Sequence, residues 1–281
     1  MIAMPCPPPS HRPPMPFSCN TVGALVLRYV FLYTRHPVRF VELIFWPLVD
    51  LLVWGFLTIY LQKQGPAGLP STITFLIGGM ILWDVLFRSQ QGVAISFLED
   101  VWTRNLLNVF VAPVRTIEYV AATCLVGVLR VGVTLIVLTG VAALAYHFHL
   151  ADLGIVLLPF LANLMLFGWF LGMVSTALIM RWGQAAESLA WAVPFFIQPL
   201  AAVFYPVSVL PVWLQPIANS LPCTPIFEGM RAVLAGHPVP WHQLGYAFTL
   251  NLVWGALAAW FFAANLRYVR KTGLLVKVAT Q

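Results

Sequence analysis

The sequence predicts an all-α integral membrane protein with six transmembrane helices. Of its 281 residues 60% are hydrophobic and only 9% are charged, whereas an ordinary soluble domain is about 25% charged. Six apolar runs are long enough to cross a bilayer, since a helical crossing takes roughly 20 residues. The runs are continuous and do not alternate with period two, which argues against barrel strands. This composition excludes a soluble enzyme, a disordered regulator and a nucleic-acid-binding module.

The six predicted spans divide the chain into a membrane domain, 38–271, and two flanking segments. The spans are Phe40–Leu61, Thr72–Leu98, Ile117–Tyr146, Ile155–Met180, Ser188–Leu210 and Gln243–Leu266. The fifth span contains three prolines and is expected to kink. Residues 1–19 are rich in proline and are expected to form a disordered leader, and 272–281 form a tail.

Lysine and arginine residues predict the orientation, because cytoplasmic loops carry an excess of them. Two of these residues, Lys63 and Arg231, fall on one side of the predicted spans. Eleven fall on the side that holds both termini: Arg12, Arg28, Arg35, Arg39, Arg104, Arg115, Arg181, Arg267, Arg270, Lys271 and Lys277. Both termini are therefore predicted to be cytoplasmic.

Residues 20–37, before the first span, are predicted to form an amphipathic helix at the cytoplasmic interface. An apolar face follows helical spacing at Val22, Leu25, Val26, Tyr29 and Tyr33. Proline at position 37 ends the helix, since a residue before proline avoids the α region. A short extension of the first span is the alternative.

A second amphipathic helix is predicted at 99–112, in the cytoplasmic connection between spans two and three. Trp102, Leu106, Val109 and Phe110 form one apolar stripe, and the polar residues Asp100, Arg104 and Asn108 fall on the opposite side. Asp100 and Arg104 are spaced for an ion pair, and Glu99 suits the helix N-terminus. Such a helix rests one face on the membrane domain; the other face either meets a cytoplasmic partner or is simply solvated.

The outer connection 211–240 is mostly apolar yet interrupted by proline, so it is too broken to span and too apolar to be a solvated loop. Re-entrant or interfacial helices sheltered by protein are expected there. Pro225 suits the first turn of one of them, and Glu228 is spaced to pair with Arg231.

Four charged residues lie well inside the predicted spans, where each costs on the order of 2.5–3.5 kcal/mol at the bilayer centre. Asp84 and Arg88 are spaced to neutralise each other on one helix. Charge balance then leaves Asp50 and Arg130 as partners between spans one and three. These four residues form either a polar gate or salt bridges that fix the packing.

The sequence contains no nucleotide-binding or nucleophile motif of the GxxxxGK[ST], GxGxxG or GxSxG type, so it predicts no catalytic, cofactor or metal site of its own. One alternative is a membrane enzyme acting on lipid, which would use His147, His149, Asp152 and Glu228 near the outer face. Another is an ion-coupled carrier that uses Asp50 or Asp84.

Between Thr21 and about Lys271 the ordered set of features resembles the membrane subunit of ABC exporters of the type 2 (ABC-2) class. TRNLLNVFVAPVR, which contains Pro113, is similar to the coupling helix of that family. The outer segment is similar to the family's outer-loop pattern, whose residues here are Pro211, Trp213, Pro225, Arg231, Leu234 and Gly236.

This resemblance implies a permease subunit in a bacterial cytoplasmic membrane, working as a homodimer or a closely related pair. Two separate ATPase subunits, which bind the ATP and magnesium, would dock near Glu99–Asn108. The permease itself would need no cofactor. The cargo implied is a polysaccharide, a lipid-linked sugar, a drug or another amphipathic molecule, moved outward.

Overall fold

A computed structural model describes residues 17–35, 37–64 and 70–272, and all regular structure in these ranges is helical. The ten α-helices are α1 (Cys19–Arg35), α2 (Pro37–Gln64), α3 (Pro70–Trp102), α4 (Leu106–Val111), α5 (Thr116–Tyr146), α6 (Leu157–Trp182), α7 (Glu187–Ile197), α8 (Gln215–Asn219), α9 (Thr224–Leu234) and α10 (Trp241–Thr272). Short 3₁₀ turns occur at Leu150–Val156, Gly183–Ala186 and Val207–Val209. The predicted leader, apart from its last three residues, and the predicted tail beyond Thr272 lie outside the described residues.

Among the described residues, four helical segments are long and apolar enough to cross a membrane: Pro37–Leu61, Thr116–Tyr146, Leu150–Trp182 and Trp241–Thr272. They coincide with the first, third, fourth and sixth predicted spans. The described chain is therefore an all-α protein with the features of a multi-pass membrane protein.

The second predicted span lies in α3, the central helix of the molecule. Between Leu76 and Val101 every side chain except the half-buried Phe87 is buried. Helices α2, α5, α6, α7 and α9 all pack against α3. With 33 residues α3 is about 50 Å long. Its buried part is surrounded by the other helices of the protein.

Glycines allow α3 to approach its neighbours closely. Gly92 of α3 lies directly against the backbone of Gly127 in α5. On the other side, a Cβ at Gly168 of α6 would lie 2.5 Å from the Leu86 carbonyl oxygen of α3. Small residues at such contacts let helix backbones meet, which is a common way of packing helices in membranes.

The fifth predicted span forms only a short helix. Helix α7 has 11 residues and rises about 16 Å, against a hydrocarbon thickness of about 30 Å. It ends at Ile197 because Pro199 has no N–H to continue the helical hydrogen bonds. The chain then turns through Ala202, which has a φ of +55°. Where the sequence predicts a kink in the fifth span, the structure therefore has the end of α7.

The segment before the first predicted span forms helix α1, which packs on α5. Its buried residues, Val22, Leu25 and Tyr29, belong to the predicted apolar face, which confirms that face. Val22 and Leu25 form a small apolar cluster with Ala122 of α5.

Candidate functional site: a buried charge cluster and an aromatic cleft

The predicted helix 99–112 is divided between two helices. Helix α3 continues through Trp102, the chain then reverses at Arg104 with a φ of +53°, and α4 begins at Leu106. Leu106 and Val109 are buried, whereas Arg104 and Asn108 are exposed. Trp102 is 40% exposed and so does not join the buried stripe. We call the segment Trp102–Pro113, in which Trp102, Arg104 and Asn108 are exposed, the inner tip.

Asp100 lies inside the protein, and its predicted pairing with Arg104 is wrong. Its carboxylate forms an ion pair with Arg28 of α1 and accepts hydrogen bonds from the Tyr29 hydroxyl at 2.7 Å and the Tyr119 hydroxyl at 2.8 Å. The pairing with Arg104 is lost because α3 ends before the next turn, while side chains from α1 and α5 reach the carboxylate.

Glu99 is also buried, with 3% of its surface exposed. It accepts a hydrogen bond from the Tyr33 hydroxyl at 2.6 Å, and a guanidinium nitrogen of Arg39 and one of Arg130 lie 3.6 Å from it. Burial raises the pKa of Glu99 to about 7, against the opposing effect of Arg39 and Arg28. Burial likewise raises the pKa of Tyr29 to about 12.

These contacts join four helices at the inner end of α3, and we call them the charge cluster. Its members are Arg28, Tyr29, Tyr33, Arg39, Glu99, Asp100, Tyr119 and Arg130. The predicted partnership of Asp50 with Arg130 is wrong, because Arg130 is engaged by Glu99 and the Tyr33 hydroxyl. Glu99 and Asp100 therefore hold helices together and are not part of the exposed surface.

The predicted pair of Asp84 and Arg88 is confirmed, with 3.1 Å between the carboxylate oxygen and the guanidinium Nε. Arg88 also donates to the side-chain oxygen of Gln91 at 2.8 Å. Asp50 is exposed and makes no hydrogen bond or ion pair with any residue that the structure describes.

Asp50 and the Asp84–Arg88 pair face a cavity of about 520 Å³ that opens between α2, α3 and α7, which we call the cleft. Its lining residues are Glu42, Trp46, Asp50, Trp54, Met80, Trp83, Asp84, Phe87, Arg88, Gln91, Trp191, Phe195, Gln198 and Phe204. The α2 residues are spaced by four and form one stripe of that helix. At one end of the cleft, Phe204 stacks on Trp54 with 4.1 Å between ring centroids.

A smaller cavity of about 140 Å³ continues the cleft toward the charge cluster. The two cavities share five lining residues, and the smaller one extends to Glu99, Trp102 and Arg130. From Met80 to Glu99 the two together follow α3 for about 28 Å at 1.5 Å per residue. That length is close to the thickness of a hydrocarbon core, about 30 Å.

The inner tip is bonded to the wall of the cleft. The indole N–H of Trp102 donates to a carboxylate oxygen of Glu187 at 3.2 Å. Glu187 is the first residue of α7, and α7 supplies Trp191 and Phe195 to the cleft. The tip is thus hydrogen-bonded to a helix that lines the cleft.

The outer segment holds the irregular backbone after α7 in place. Glu228 and Arg231 of α9 form the predicted pair at 3.0 Å. Arg231 donates to the Ala202 carbonyl at 2.7 Å, and Glu228 accepts from the Val207 N–H at 2.8 Å. These bonds satisfy backbone groups that no helix or sheet serves.

The other predicted residues of the outer segment lie in different environments. Pro225 is buried in the first turn of α9, as its type predicts. Trp213 is 71% exposed and Pro211 is also exposed, so these two residues do not join the site.

Sequence reasoning missed the cleft and the tyrosines of the charge cluster. The spacing of Glu42, Trp46, Asp50 and Trp54 on one helix face could have indicated the cleft. The hydroxyls of Tyr29, Tyr33 and Tyr119 gave no such signal, because their partners are 19 to 90 or more positions away.

Within the described ranges, no three histidine, cysteine, aspartate or glutamate side chains gather where they could hold a metal ion. His147, His149 and Asp152 thus form no such group.

Comparison with protein-family models finds no match for this chain, and comparison with curated proteins finds none either.

Proposed function

We propose that this protein is the permease subunit of an ATP-driven exporter of the ABC-2 class, with six membrane crossings and both termini in the cytoplasm. In this proposal the fifth crossing is made by α7 together with the irregular backbone that follows it up to Leu210, which the rest of the protein shelters from lipid. The observation that carries the proposal is the cleft, which with its smaller continuation follows α3 for about 28 Å and ends beside the inner tip. The excess of lysine and arginine on the side of the tip supports its cytoplasmic position.

In this proposal the exposed inner tip is the docking surface for a separate ATPase subunit that binds the ATP and magnesium. Arg104 and Asn108 are exposed there, and Trp102 connects the tip to α7. The charge cluster ties the adjoining end of α3 to α1 and α5, so that force on the tip moves α7 against a fixed frame. Two copies of the permease and two ATPase subunits complete the exporter in a bacterial cytoplasmic membrane.

The test is to combine Trp102→Ala with Arg104→Glu in a chain co-expressed with an ATPase subunit that co-purifies with the unchanged protein. We expect the variant to fold normally but to lose co-purification of the ATPase or the stimulation of ATP hydrolysis by cargo. Arg267→Glu is the matched control, because Arg267 is an exposed arginine on the same predicted side. Unchanged ATPase binding and unchanged transport in the double variant would overturn the proposal.

An ion-coupled carrier is the second candidate, and the unpaired carboxylate of Asp50 favours it. Carriers use intramembrane carboxylates to bind protons or sodium. This candidate requires the purified chain to move cargo in vesicles on a proton or sodium gradient without ATP, and to lose that activity in Asp50→Asn. Transport that needs both ATP and a second subunit rejects it.

A further inference from the structure

We propose that the cleft binds a hydrophobic organic cation. As a statement about cargo this rests on the exporter proposed above, whereas the binding itself does not depend on an ATPase. The inference follows from the charges, the rings and one unsatisfied amide of the cleft.

The charges of the cleft leave an excess of negative charge. Asp84 is neutralised by Arg88 at 3.1 Å, and Arg88 is the only basic residue among the described residues that line the cleft. Glu42 and Asp50 remain, and neither forms a hydrogen bond or ion pair with the described part of the chain. Two other basic residues, Arg39 and Arg130, line the smaller cavity and face Glu99.

Aromatic rings alternate with these two carboxylates. Along the stripe of α2, Trp46 lies between Glu42 and Asp50, which are about 12 Å apart at 1.5 Å per residue. Across the cleft lie Trp83 of α3 and Trp191 of α7. An indole face attracts a cation within about 6 Å of its centroid, more strongly when the cation has lost water. A carboxylate beside an indole therefore selects a positive charge on an apolar body.

The size and remaining polarity of the cleft limit what this cation is. A volume of about 520 Å³ is in the usual range of small-molecule pockets, about 300–1,000 Å³. The side-chain nitrogen of Gln91 is buried and has no hydrogen-bond partner among the residues that the structure describes, and Gln91 lines the cleft. A ligand oxygen that accepts from this nitrogen would satisfy it. Anionic or uncharged sugars would leave the two carboxylates unmatched in a membrane.

The experiment uses the full chain purified in a non-ionic detergent, without any ATPase, and follows quenching of tryptophan fluorescence. The two probes are tetraphenylphosphonium and tetraphenylborate, which share their shape and differ in the sign of their charge. We expect saturable binding of the phosphonium and at least tenfold weaker binding of the borate. Glu42→Gln combined with Asp50→Asn should weaken phosphonium binding about tenfold or more and leave borate binding no weaker.

Asp152→Asn is the matched control, since Asp152 is an exposed acid outside the cleft and its loss should leave phosphonium binding unchanged. Glu42→Gln alone provides a second test, because an exposed, unpaired side chain tolerates this change in any folded background. Equal binding of the two probes, or phosphonium binding that both cleft variants leave intact, would overturn the inference. A second copy of the chain that fills the cleft would give one of these overturning results, because the cleft would then be closed to both probes.

The two proposals fail in different ways. A phosphonium that binds the cleft of a chain whose ATPase binding and transport do not depend on Trp102 and Arg104 contradicts the exporter and leaves the cation site standing. An ATPase that docks on the tip while the cleft does not distinguish the two probes contradicts the cation site and leaves the exporter standing.

Discussion

The charge cluster and the cleft contain the same kinds of residue, but these residues have different roles in the two places. In the cluster both carboxylates, Glu99 and Asp100, are buried and each is surrounded by arginine and tyrosine. In the cleft Glu42 and Asp50 are exposed and form no hydrogen bond or ion pair with the residues that the structure describes. A buried acid with partners fixes the positions of helices, whereas an open acid without partners is available to a ligand. The two sites differ in which helices bring side chains to the carboxylates. That difference distinguishes the charge cluster, which holds helices together, from the cleft, which is open to a ligand.

The largest effect that would test this contrast is expected from Asp100→Ala. The change leaves Arg28 and two tyrosine hydroxyls without their shared acceptor, and breaking a buried pair in this way costs about 3 kcal/mol or more. Thermal unfolding in detergent should show a marked fall in stability, and Asp50→Ala should change it by less than about 1 kcal/mol. Equal losses in both variants would contradict the contrast.

A pH effect is expected from Glu99, which lies one residue beyond the predicted second span. Its pKa in the folded protein is raised from 4.5 to about 7, so the folded state binds the proton more tightly than the unfolded state. Its contribution to stability is therefore greatest below pH 4.5 and is lost as the pH rises to about 7.

Glu99→Gln removes this titration, so its melting temperature should fall less between pH 5 and 7 than that of the unchanged protein. Asp152→Asn, which changes an exposed acid, should retain the slope. An identical slope in Glu99→Gln and the unchanged protein would mean that Glu99 is ionised throughout this range.

A smaller effect is expected where the inner tip meets α7. Trp102→Phe keeps a ring but removes the N–H that donates to Glu187. We expect the ATPase still to dock and the transport rate to fall severalfold, because the tip is no longer bonded to the wall of the cleft. Glu187→Gln, which retains an acceptor oxygen, should transport better than Trp102→Phe. A transport rate in Trp102→Phe equal to that of the unchanged protein would show that force reaches the cleft by another path.

The smallest effect is expected from Phe204→Leu, at the end of the cleft farthest from the tip. The change removes the ring that stacks on Trp54, and such a pair contributes about 0.5–1.5 kcal/mol beyond its buried area. Phe196→Leu, at a site that is 72% exposed, is the control. Denaturant unfolding should show a loss of about 1 kcal/mol in Phe204→Leu only, and a larger loss in the control would argue against the stack.

The sequence predicted those features that depend on local spacing. The pairs Asp84–Arg88 and Glu228–Arg231 form because one helical turn brings their side chains together. The buried face of α1 and four long apolar helices follow from periodicity and hydropathy in the same way.

Features that depend on contacts between helices far apart in the sequence could not be predicted from local spacing or hydropathy. Charge balance paired Asp50 with Arg130, but it could not show that α1 brings Tyr33 to that arginine. Hydropathy gave a fifth span because it measures apolar content, whereas Pro199 and the bonds from Arg231 to the backbone decide where α7 ends. The inner tip appeared as one helix because the reversal at Arg104 has no glycine or proline to indicate it.

The glycine contacts of α3 determine which parts of the molecule can shift. No side chain separates the backbones where Gly92 meets α5 or where Gly168 meets α6, so these three helices have no room to slide without collision. Widening or narrowing of the cleft then has to come from its two remaining walls, α2 and α7. In a transport cycle of such a protein, α2 and α7 would move while α3, α5 and α6 keep their relative positions.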